Sequence, residues 1–252
     1  MGWKAATIIV NNPKTIDFTS FLNQLGFRDI KPIADQSFDA VINPRGNKVY
    51  LGTYKNNLII CSQELCNTFF EDDGISVVEK IFMEKFPDSE ICAITLNSVI
   101  NEWGYAVLKN PEMIRFRAGC HETGTVFDYG EPLPQELNLL AKSQMDEKGN
   151  RTYLIDGENY TEDQVGENFA FSIASRYLDS NLDELDIFEI NMIGFSYENF
   201  IAGVQVNDDN DIKPEISSYV PTHRREGYSS KSALYILLIL VLILVKVYRY
   251  LR

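Results

Sequence analysis

The chain has 252 residues, 45% hydrophobic and 12% aromatic, so the bulk of it can bury a core in one large domain or two small ones. Its formal net charge is −13, and from Thr222 onward six basic residues stand against Glu226 alone, a net of +5 that leaves −18 on the residues before Thr222. An acidic head repels phosphate backbones, which argues against nucleic-acid binding, and its plainest use is solubility.

The opening MGWKAATIIVNNPKT has a short apolar run ending at Asn11 and no basic segment before a long apolar one, so no secretory signal peptide is expected. Ala6 stands where a myristoylation pattern needs Ser or Thr, so Gly2 is not read as an acylation site. Lys4 to Val10, rich in Ile, Val and Thr, predicts a strand. Thr15 is placed to cap a helix carrying Phe18, Phe21, Leu22 and Leu25 at helical spacing, with Gly26 ending it. Val49 to Tyr54 and Leu58 to Cys61 flank Lys55-Asn56-Asn57, a hairpin signal. Ile75 to Phe86 reads as a helix, Ile91 to Leu96 as a strand. Glu102 to Leu108 and Met113 to Cys120 surround Asn110-Pro111 as a second hairpin, and Thr123 to Tyr129 adds a third strand. Pro134 suits the first turn of a helix with Leu137, Leu140 and Ala141. Thr161 and Gln164 form a capping box opening a helix that aligns Val165, Phe169, Ile173 and Tyr177. Asp186 to Tyr197 reads as a last strand. Strand pairs joined by short turns predict an α+β fold, with a mainly antiparallel sheet and packed helices.

The stretch Arg115 to Pro132, RFRAGCHETGTVFDYGEP, sets a cysteine beside a histidine. A cysteine nucleophile needs a base within hydrogen-bond reach. On a strand, side chains alternate between faces, so Cys120 shares the apolar face with Ile114, Phe116 and Ala118, and His121 points the other way with Arg115 and Arg117. Cys120 is therefore expected to be a small core residue. The opposite face is the candidate ligand site: Arg115, Arg117 and His121, with Asp128 or Glu131 approaching across the next strand, could bind a carboxylate or phosphate. The alternative is a solvated sheet face laced by cross-strand ion pairs.

Other motifs are thin. Cys61, Cys66, Cys92 and Cys120 form no C-x-x-C pair, which is poor zinc spacing, and buried reduced thiols are the expectation. Gly124, Gly130, Gly157 and Gly166 form no phosphate-binding loop, and no cofactor or metal is implied. Asp156, Glu158, Glu162, Asp163 and Glu167 crowd a helix start, where the dipole favours acids. Trp103 and Tyr105 share a strand face and read as core.

Residues 207–231 are polar, with two prolines, and read as a flexible linker with a reach of roughly 25–30 Å. Ala233 to Val245, ALYILLILVLILV, is thirteen residues without a charge. Taken as 232–251, the segment reaches about 20 residues, roughly 30 Å of helix. Lys246 and Arg249 can then reach the interface, where Tyr235, Tyr248 and Tyr250 also fit. The expectation is a single transmembrane helix. Basic residues flank both of its ends, so charge does not orient it. Without an export signal, the simplest arrangement leaves residues 1–206 in the cytoplasm behind a tail anchor. The expected partners are a lipid bilayer and, at that membrane, another protein.

The run from Val99 to Glu136 resembles a segment of an uncharacterised bacterial family of small cytoplasmic proteins. The features that carry it are Val99, Trp103, Ala106-Val107, Arg115 and Gly130-Glu131-Pro132, with Gly194-Phe195 near the last strand. The resemblance implies a shared fold and no reaction. The hydrophobic tail departs from that family and implies a membrane-attached variant, working through binding.

Overall fold

Residues 2–71, 74–121, 124–147, 151–184 and 189–202 are described in the computed structural model, and all lie in one unit, residues 1–215. In chain order they form β1 (Lys4–Asn11), α1 (Phe18–Leu25), β2 (Phe27–Arg28), β3 (Lys31–Ser37), α2 (Phe38–Val41), β4 (Lys48–Tyr54) and β5 (Asn57–Cys61). Then come α3 (Gln63–Thr68), α4 (Val77–Lys85), β6 (Glu90–Asn97), β7 (Glu102–Lys109), β8 (Glu112–Cys120) and β9 (Gly124–Tyr129). The remainder are α5 (Pro134–Leu140), β10 (Ser143–Met145), β11 (Arg151–Ile155), β12 (Glu158–Thr161), α6 (Glu162–Leu178), β13 (Asn191–Ser196) and β14 (Asn199–Phe200).

Nine strands make one sheet in the order β3-β13-β4-β5-β1-β6-β7-β8-β9, and every pairing in it is antiparallel. The fold is α+β, as expected. Central strands are apolar on both sides because helices cover both faces. Ala6, Ile8 and Val10 of β1 meet Phe21, Leu22 and Leu25 of α1, Leu65 of α3 and Phe82 of α4 in one core. Ala5 and Ile9 turn to the other core, with Phe38 of α2 and Phe169, Ile173 and Tyr177 of α6. Residues on α6 at four-residue spacing are all buried, because its stripe lies flat on β6 and β7.

Several local expectations change. The cap of α1 is Asp17, which accepts from the Ser20 amide at 2.7 Å, so the helix starts later than Thr15 suggests. Gly26 does end it, at φ 112. The first hairpin turns on two residues, Lys55 and Asn56, both left-handed, and Asn57 begins β5. Leu137 of α5 is 54% exposed, and the buried residue of that helix is Glu136. The edge strand β3 is polar and exposed, so no alternation announced it, and a Pro32 fits an edge. The three-stranded sheet β10-β11-β12 was also silent in the sequence. β13 is described from Asn191, and residues 186–188 of the expected strand lie outside the described residues. So do the expected linker, 207–231, and the apolar segment, 232–251. Among the described residues, no helix is long and apolar enough to cross a membrane.

Candidate functional site

Strand β8 pairs Arg117 with Tyr105 and Arg115 with Val107 on β7, so both arginines project on the same side as Trp103 and Tyr105. Alternation thus puts them on one face, as expected. That face is not solvated. Helices α5 and α6 close over it, and Arg115 and Arg117 are 1% and 0% exposed. The cross-strand ion pairs exist, but under a roof. A shift in register between Val107 and Leu108 also turns Ile114 toward the arginine side, where it packs on the core, whereas Phe116 faces the opposite core.

A guanidinium removed from water must find carboxylates and carbonyls or destabilise the fold. Arg115 grips Glu136 through two bonds: Nε donates to Oε2 at 2.8 Å and Nη2 to Oε1 at 2.7 Å. Its Nη1 donates to the carbonyls of Tyr129 and Gly130 and lies 2.7 Å from Asp128 Oδ1. Glu136, itself fully buried, also accepts from the Tyr105 hydroxyl at 2.6 Å and from the Leu133 amide at 2.7 Å. The α5 start is thereby bolted to β7 and β8. Gly130 makes the turn that permits this. It sits at φ 82, and a Cβ there would run into the Ile114 carbonyl.

Arg117 lies deeper. Its guanidinium stacks over the Phe169 ring at 4.3 Å and faces Trp103 at 5.5 Å. Nη2 binds Glu162 and lies 3.4 Å from the Tyr153 hydroxyl, which donates to Glu162 at 3.1 Å. Asp128 and Glu136 stand at 3.7 and 3.8 Å, ion-pair range without a hydrogen bond. Burial alone would lower the pKa of both arginines, but their partners outweigh it and hold both above the ordinary value. Burial pushes the phenols of Tyr105 and Tyr153 up. Both therefore keep their protons and act as donors.

The five sequence candidates therefore divide. Arg115, Arg117 and Asp128 come together. His121 stands on the turn after β8, its side chain 74% exposed, with Nδ1 3.1 Å from Asp163 Oδ2 at the start of α6. Asn101 also donates to that carboxylate at 3.0 Å. Burial alone would raise the Asp163 pKa, but bonds from Thr161, His121 and Asn101 turn it below the ordinary value. Glu131 is exposed, just beyond Gly130. Sequence reasoning missed Glu136 and Glu162, the two acids that neutralise the arginines. A signal existed: an arginine on a core strand demands a buried carboxylate, and both glutamates lie in the first turn of a helix.

Among the described residues, no group of three metal-type side chains converges. The four cysteines are free thiols. Cys61, Cys66 and Cys92 are buried, and burial pushes the Cys66 thiol up to about 12. Cys120, expected in the core, is only partly buried, because it ends β8 beside Gly124 at the sheet's edge.

Trp103, Val107, Arg115 and Gly130, four of the residues that carry the family resemblance, meet around this centre. Comparison with curated proteins and with solved structures finds no match. A family model described as a family of unknown function, DUF6928, matches residues 19–195, from within α1 to the penultimate residue of β13. The chain belongs to that family of unknown function.

Proposed function

We propose that this chain is a non-catalytic binding module tethered to a membrane by its C-terminal apolar segment, 232–251, with residues 1–206 on the cytoplasmic side and a protein partner at that membrane. The observation that carries the tether is the uncharged run from Ala233 to Val245 behind a polar linker. Support for a non-catalytic head comes from the arginine centre. Glu136 holds the bidentate position that an incoming carboxylate would take on Arg115, and Glu162 faces Arg117. The groups proposed as an alternative anion receptor are divided: Arg115, Arg117 and Asp128 sit in an internal network, and His121 and Glu131 are exposed on separate segments. The network clamps α5 and α6 to the sheet and gives a partner a rigid body to recognise.

Charge in the middle of the apolar run tests the tether. A Leu240→Arg change costs about 2.5–3.5 kcal/mol of insertion at a helix centre. It should move the full chain from the membrane fraction toward the soluble one on carbonate-washed fractionation. Unchanged membrane recovery would refute the tether.

A further inference from the structure

The segment leading into α1 and the β4–β5 turn enclose a groove of about 570 Å³, lined among others by Asn12, Lys14, Ile16, Phe18, Tyr54 and Lys55. A second groove of about 470 Å³ shares Phe18, Thr53 and Tyr54 with it, so the two run together toward Ile193, and Glu189 lines that second part. Three features give the first groove a chemical preference. Its lining holds two lysines and no carboxylate, on a chain with 36 acidic and 23 basic residues. Ile16 and Phe18 pack on the core with one side and present the other to the groove, only half-buried. Its rim is held in place: Asn12, Lys55 and Asn56 are left-handed at φ 46, 45 and 55, and the buried Asn57 amide ties the turn to the Tyr54 and Tyr177 carbonyls.

Lys55 pairs with Asp179, whose side chain is 75% exposed, at 3.0 Å. An exposed pair of this kind is weak and exchangeable, so an incoming anion can compete for the ammonium. A carboxylate or phosphate paired with these lysines would leave any attached hydrocarbon in a groove that Ile16 and Phe18 also line. From this combination we propose that the groove binds a small organic anion, a phosphate or carboxylate carried on an apolar body. The site is separate from the arginine centre and independent of the membrane tether. Two sources share this chemistry, a free amphiphilic metabolite and a lipid headgroup.

The test uses the full chain in phosphatidylcholine nanodiscs, with hydrogen exchange read at residues 12–18 and 53–58. Millimolar hexyl phosphate or hexanoate should slow exchange there, and hexanol should not. In a Lys14→Glu/Lys55→Glu double variant, binding of hexyl phosphate should weaken by about tenfold or more. If that variant misfolds by circular dichroism, Lys14→Gln/Lys55→Gln replaces it and should weaken binding in the same direction. Protection by phosphatidic acid added to the nanodiscs, without a soluble probe, would identify the lipid source; protection by the soluble probes alone would identify a free ligand. No protection from any of these anions, or equal affinity in the folded lysine variants, overturns the proposal.

Discussion

Glu136, at zero exposure, accepts from Arg115 twice, from the Tyr105 hydroxyl and from the Leu133 amide. Removing it leaves a buried guanidinium with no bidentate partner. Glu136→Ala should therefore destabilise the head by about 3–5 kcal/mol, read as a shift in urea midpoint. The pair itself is worth less than that loss. Arg115→Met and Glu136→Met should each be costly alone, and the double variant should lose much less than their sum. Additive losses would mean the two side chains are not coupled. Elsewhere, Arg176 donates to Glu90 through Nε and Nη2 at 2.7 and 2.9 Å, and these bonds hold the Glu90 pKa below its ordinary value of 4.5. A depressed carboxylate contributes stability that is complete above the unfolded value and is lost as pH falls through the folded one. Arg176→Met should thus cost about 1.5–3 kcal/mol at neutral pH, and its difference from the parent should shrink as pH drops below about 4. A difference independent of pH would remove Glu90 from the account.

At the level of elements, α6 meets β7 at Gly166. A Cβ there would strike the Trp103 indole, which is itself 1% exposed and has no room to retreat. Helix propensity favours Gly166→Ala by about 1 kcal/mol, and overpacking opposes it by about 1–3 kcal/mol or more. Packing should win, with a lower melting temperature and altered Trp103 fluorescence; a stabilised variant would mean that α6 sits farther from the sheet. The same contacts explain what could be read in advance. Strand alternation put Arg115 and Arg117 on one face and Phe116 on the other, because that periodicity is local geometry. The capping box and the stripe of α6 were equally local. Burial of the arginines depends on where α5 and α6 dock, and no local pattern encodes that. For the same reason periodicity placed Leu137 inside, where the fold puts Glu136. The β3 edge strand, whose seven residues are nearly all exposed, turns only Ile33 toward the core and so carries no alternating hydrophobic signal.

For the whole molecule, the two covered faces of the sheet and the internal neutralisation of Arg115 and Arg117 describe a self-contained head. The proposed role then rests on where that head is held and what it meets there. The apolar segment beyond the linker supplies the proposed anchor, and the groove at Lys14 and Lys55 supplies a proposed contact that does not depend on it. The most direct measurement of the tether is flotation with phosphatidylcholine liposomes, comparing the full chain with a version ending at Thr222. The full chain should rise with the lipid and resist extraction by high salt and carbonate, while the shortened version stays at the bottom of the gradient. A full chain that remains monodisperse without detergent and fails to float would contradict the account, as would a shortened version that floats as well as its parent.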